Sequence, residues 1–221
     1  MRFQKLAFLL NVLIVIFAVT GTILMLFFRD GDQLLQSSGI ANLKYFTVLS
    51  NEFCGIIAVY SLICRLRGKP QPMFAKLLAA AAVGLTFLTI AAFLGPMYGM
   101  LKMYHNANLF FHLLLPLTAM DEFVMSDFSD RDDGKTDPSE NAIPFRWTFY
   151  TMIPVLLYGA GYLGNILING TGVWPDTNDF YGFVNWGLPV GLLIFAFLLA
   201  ATWGIACALR ALHRQIRKEV K

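Results

Sequence analysis

Thr47, Ser50 and Asn51 stand three and four residues apart in the stretch Lys44-Tyr45-Phe46-Thr47-Val48-Leu49-Ser50-Asn51. That spacing puts two hydroxyls and an amide on one face of a helix. The chain around them is apolar over a length that suits a membrane span. Polar groups at membrane depth are costly and are functional candidates by default. Each also has a bland reading, in which Thr and Ser bond back to a backbone carbonyl and the amide bonds a neighbouring helix. Glu52 follows, turned well away from Thr47, and an ionised carboxylate at that depth needs a partner.

His112 is the histidine that falls inside an apolar segment, since His105 sits at a segment boundary and His213 in the basic tail. A hydroxyl beside an imidazole is the minimum for nucleophilic acyl transfer. The ring takes the hydroxyl proton during attack and returns it to the leaving group. Thr47 or Ser50 can serve as the nucleophile. Charge developing on the substrate oxygen needs donors, for which Asn51, Tyr162 and Asn165 are the candidates. Other chemistries fare worse. Metal-dependent membrane hydroxylases and desaturases need several inward histidines. A bis-histidine haem needs ligands from opposite sides, yet His105 and His112 share one helical face. A Gly-x-Ser-x-Gly elbow is absent. The expected chemistry requires no metal and no other cofactor.

The elements that must position these groups follow from composition. The 221 residues are 57% hydrophobic and 14% charged, with mean hydropathy +0.60, which indicates a polytopic membrane protein. A spanning helix takes roughly 20 apolar residues. Six stretches qualify, at about 6–27, 41–64, 74–98, 105–125, 147–167 and 184–209. The expected fold is all-α, a single transmembrane domain over residues 1–221. Arg2 and Lys5 precede the first stretch as in a signal peptide. That stretch is longer than a signal core, and Ala18-Val19-Thr20 is a poor cleavage site, so a retained helix is expected. Of the 17 lysines and arginines, all but Arg29, Lys44 and Lys102 fall on one side of the six stretches. The positive-inside rule then gives an N-in, C-in, multi-pass protein of the cell (inner or plasma) membrane. The net charge of +3 reflects that asymmetry, and there is no basic patch for nucleic acid. Cys54, Cys64 and Cys207 read as small apolar packing residues.

Depth brings the polar groups to one level. Thr47 lies six residues inside the outer end of its stretch, roughly 9 Å at the helical rise, and His112 seven residues inside its own. The fifth stretch carries Trp147, Thr151, Pro154, Tyr158, Tyr162, Asn165 and Asn169 at steps of three or four, a face that lipid would not favour. Tyr162 and Asn165 fall at the level of Thr47, and Tyr158, Tyr162 and Asn165 join Ser50 and Asn51 as expected supporting or substrate-binding residues. Asp121 and Glu122, near the inner end of the fourth stretch, are expected to face water or a cytoplasmic partner. The acidic connection 126–144 fits neither a calcium loop nor a phosphate loop and reads as a solvated link.

Three motifs together resemble the androgen-induced-gene family of integral membrane proteins, which has bacterial relatives. They are Lys44-Tyr45-Phe46-Thr47, His112 followed by Leu115-Pro116, and Thr171-Gly172-Val173-Trp174-Pro175 after the fifth stretch. Ser50-Asn51 and Asp121 are similar to the bacterial branch. The resemblance implies an intramembrane threonine hydrolase that cleaves fatty acid esters of hydroxy fatty acids, with Thr47 as nucleophile and His112 as base. The lipid substrate would arrive laterally from the bilayer. The alternative from the residues alone is a non-enzymatic lipid-binding or transport protein, in which the same polar level binds a headgroup or solute and Glu52 couples transport. A purely structural membrane subunit is a third.

Overall fold

The computed structural model describes residues 2–28, 39–127, 143–173 and 177–219, and within them the regular structure is helical throughout. Most of the acidic connection 126–144, and Trp174-Pro175, lie outside the described residues. Six principal helices are α1 (Arg2–Phe27), α2 (Phe46–Leu66), α3 (Met73–Thr89), α4 (Leu115–Met125), α5 (Ile153–Asn169) and α6 (Leu188–Glu219). A 3-10 turn, Gly39–Lys44, leads into α2, and a short helix, Arg146–Tyr150, leads into α5.

Five helical segments are long and apolar enough to cross a membrane: Gln4–Phe27, Phe46–Leu66, Met73–Met97, Arg146–Asn169 and Leu188–Arg217. Their outer faces carry exposed Leu9, Ile16, Val19, Ile23, Leu157, Ile168, Leu193 and Phe197. Such a surface suits lipid, and the protein is a multi-pass membrane protein. The stretch 107–125, which ends in α4, stands apart from the five. It carries Asn108, His112, Asp121 and Glu122, and its helix is interrupted.

The interruption has a covalent cause. Pro116 has no N–H to donate to the carbonyl four residues back, so the turn just before it widens into the π turn Phe110–Leu114, which contains His112. The same happens before Pro96, where Ile90–Leu94 forms a π turn.

Helix α3 is the centre of the bundle, packed against α2, α4 and α6. Its residues Ala79, Ala80, Ala81, Ala82 and Val83 are almost completely buried. Small side chains let neighbouring backbones approach, which drives packing where lipid removes the hydrophobic incentive. Gly84 shows how tight the fit is: a Cβ there would lie 3.0 Å from Ile205 and 3.1 Å from the Met120 sulfur. Helix α1 covers α2 and α4 on one side, and α5 lies outside, against α6.

The two ends of the bundle differ. At the end holding the chain termini, Arg65 reaches the Gln4 carbonyl and Arg217 pairs with Asp127 at 2.7 Å. The opposite end is aromatic: Tyr45, Phe110, Phe111, Phe180 and Tyr181 pack there beside Tyr158, Tyr162, Phe183 and Phe195.

Candidate functional site

Asn51 is the pivot of the aromatic end. It is fully buried, and its Nδ2 donates to the Thr47 carbonyl at 2.7 Å and to the Phe111 carbonyl at 3.0 Å. One amide thus ties the first turns of α2 to the π turn that holds His112. Ser50 donates to the Thr47 carbonyl at 3.0 Å and lies 3.3 Å from the Thr86 hydroxyl, which links α2 to α3. The Ser50 proton is committed to a carbonyl. The Thr47 hydroxyl, on a half-buried residue, has no hydrogen-bond partner among the described residues. Of the two candidate nucleophiles, Thr47 is the uncommitted one.

His112 is buried, with Nδ1 2.8 Å from the Met103 carbonyl. A carbonyl only accepts, so Nδ1 carries the proton and, in the neutral ring, Nε2 keeps the lone pair. Nε2 has no partner among the described residues. The ring is therefore oriented by its backbone bond and presents a base. Thr47 and His112 form no direct hydrogen bond; they are neighbours through Asn51 and Phe111.

The expected oxyanion donors are all occupied. Both Nδ2 hydrogens of Asn51 go to carbonyls, while its Oδ1 is buried without a partner. The Tyr162 hydroxyl donates to Asp179. Asn165 donates to Asn178 Oδ1 at 3.1 Å and accepts from Asn169, so it ties Asn178 to the end of α5. Tyr158 donates to the Lys44 carbonyl at 2.7 Å and packs against Phe46, at the mouth of α2.

Tyr181 was legible in the sequence only as an interfacial aromatic. Its hydroxyl accepts the otherwise orphaned Phe46 N–H at 3.0 Å, capping α2 in place of the missing Ncap side chain. Withdrawal from water pushes the phenol up to about 12, so it keeps its proton and remains a potential donor. Asp179 holds this loop in shape, accepting from Tyr162 and from the Val184 N–H at 3.0 Å. The rich aromatic content of 180–186 was the available signal.

Glu52, left without a partner by the sequence, hydrogen-bonds the Thr22 hydroxyl of α1, which also lies 2.7 Å from the Ala18 carbonyl. The helices meet closely here, since a Cβ on Gly55 would fall 2.7 Å from that of Ala18.

A second polar cluster lies toward the termini. Lys76 and Glu122 are both buried and pair at 2.6 Å. Asn11 at 2.5 Å and Ser126 at 2.5 Å donate to the same carboxylate oxygen, and Lys76 also reaches Ser126 at 2.9 Å. Asp121 is exposed as expected, but Glu122 is turned inward instead of facing water. The reason is α3: an unpaired lysine in its fourth position would be prohibitively costly inside the bundle. A cavity with room for about one water adjoins this cluster, lined by Asn11, Cys54, Lys76 and Glu122 among apolar neighbours.

Among the described residues no three His, Cys, Asp or Glu side chains gather as a metal site would require. Comparison with protein-family models, with curated proteins and with solved structures finds no match to the chain.

Proposed function

We propose that the protein is an intramembrane lipid-ester hydrolase, with Thr47 as nucleophile and His112 as its base, acting on fatty acid esters of hydroxy fatty acids. The observation that carries this reading is the His112 Nδ1 bond to the Met103 carbonyl, which leaves Nε2 as a base at the level where Asn51 joins Thr47 to Phe111. An ester carbonyl bound between the two side chains completes the pair. His112 Nε2 takes the Thr47 proton as the hydroxyl attacks, then delivers it to the departing alkoxide, leaving an acyl-threonine. Water, activated by the same ring, releases the acid and restores Thr47. The hydroxyl and imidazole form no direct hydrogen bond, so a substrate or water between them would complete the relay. With Asn51, Tyr162 and Asn165 engaged, oxyanion stabilisation falls to the Tyr181 phenol, whose oxygen accepts from the Phe46 N–H and whose proton can be donated.

In this reading residues 105–125 form a sixth span and both termini lie on the cytoplasmic side of a cell membrane, as the lysine and arginine distribution favours. The lipid arrives laterally, with its chains between helices and its ester in the outer leaflet. Purified protein in nanodiscs, given such an ester and a reactive hydrolase probe, should turn over the ester and label on Thr47. Absence of both turnover and Thr47-dependent labelling would sink the reading.

The lipid-binding or transport alternative, which in the sequence rests on Glu52, moves to a different carboxylate, since Glu52 is bonded to Thr22 while the buried Lys76–Glu122 pair lies beside a water-sized cavity. It predicts that uptake in vesicles fails in Glu122→Gln and survives in Thr47→Ala.

A further inference from the structure

Lys44 is an exposed cation held in an unusual setting. It ends the 3-10 turn before α2, three residues ahead of Thr47. Its ammonium lies 5.4 Å from the centre of the Tyr45 ring and 5.0 Å from that of Phe180. Its backbone carbonyl is pinned by the Tyr158 hydroxyl at 2.7 Å. A lysine at a membrane surface ordinarily runs its stem along apolar surface and leaves the charge free in water. Here two ring faces fix the charge at the rim of the aromatic end. It makes no ion pair with any described acid.

An oriented ammonium that pairs with no acid among the described residues, bordering an apolar cluster of Tyr45, Val48 and Phe111, suits a ligand that is anionic at one end and apolar along the rest. A carboxylate on an acyl chain has that form. Lys44 stands just outside the mouth of α2, two residues before its first residue and three before Thr47. A lipid held by its headgroup at Lys44 would therefore lay its chain across the Thr47 level. We propose that Lys44 is the headgroup anchor of this protein, selecting lipids that carry a free carboxylate. Its consequence for turnover rests on the hydrolase reading; its consequence for binding does not.

The test uses full-length protein in phosphatidylcholine nanodiscs with a diazirine-bearing fatty acid and its methyl ester as crosslinking probes. The expected result is about tenfold stronger labelling by the acid, reduced to the level of the methyl ester in Lys44→Gln and largely kept in Lys44→Arg. Thr47→Ala should label as the wild type does, so a failed hydrolase reading would leave this result standing. Equal labelling by acid and methyl ester, or an unaltered Lys44→Gln, would overturn the proposal. Displacement of the acid by millimolar acetate or inorganic phosphate would also overturn it, since the site would then take any small anion. If the protein is a hydrolase, Lys44→Gln should raise KM for substrates with a free carboxylate, leave kcat nearly unchanged and spare their methyl esters.

Discussion

The carbonyls of Thr47 and Phe111, on two different helices, share a single donor, the buried amide nitrogen of Asn51. This arrangement makes Asn51 a strut and not a catalytic donor. Asn51→Leu should lower stability in detergent by about 1 kcal/mol, the usual scale of a polar contact between membrane helices. Asn51→Asp should be worse, because a carboxylate oxygen would face two carbonyls with nothing to donate. Equilibrium unfolding in mixed micelles measures both, and equal effects would contradict the strut.

His112→Asn separates structure from chemistry. The shorter amide can still donate to Met103 but offers no base where Nε2 stands. Stability should change by less than about 1 kcal/mol, while ester turnover falls by about 10²–10⁴, the range for losing a general base. Retained turnover would remove His112 from the mechanism.

Removing one member of the Lys76–Glu122 pair leaves an uncompensated buried charge. Lys76→Met or Glu122→Gln alone should cost about 3–5 kcal/mol, much of it recovered when both are replaced by apolar residues of similar volume. A double-mutant cycle on micellar unfolding reads the coupling, and additive losses would show that the pair does not act as a unit.

The loop 177–184 is held by Tyr162, Asp179 and Tyr181. Tyr181→Phe removes the cap on the Phe46 N–H and should destabilise the start of α2 by about 1 kcal/mol. Hydrogen exchange at residues 46–49 should accelerate, with α3 unaffected. Tyr162→Phe strips a donor from the buried Asp179 and should loosen the loop in the same assay.

Gly55→Val should force α1 and α2 apart, since even a Cβ would press on Ala18. The Thr22–Glu52 contact would be lost with it. Engineered cysteine pairs across these two helices should then crosslink less efficiently than in the wild type.

The linear order of residues determined a good deal by itself. Apolar runs located several helices to within a few residues: the run at 6–27 lies within Arg2–Phe27, and that at 147–167 within the Arg146–Asn169 segment, whereas the run at 184–209 stops ten residues short of Glu219 and that at 105–125 is not among the five spanning segments. The π turns before Pro96 and Pro116 were not read from the sequence, although a missing N–H is the covalent feature that precedes each. The depth comparison that set Thr47 beside His112 could equally have paired Lys76, fourth residue of α3, with Glu122, fourth from the end of α4. Tertiary structure alone decided rotation about each helix axis and the spending of each donor. Asp121 and Glu122 are adjacent in the chain, yet about 100° of helical rotation separates water from the bundle core. Asn51, Tyr162 and Asn165 are plainly polar in sequence, but whether a donor is free depends on carbonyls and carboxylates supplied by other helices. Hydropathy is a property of one segment, whereas hydrogen-bond satisfaction belongs to the packed assembly.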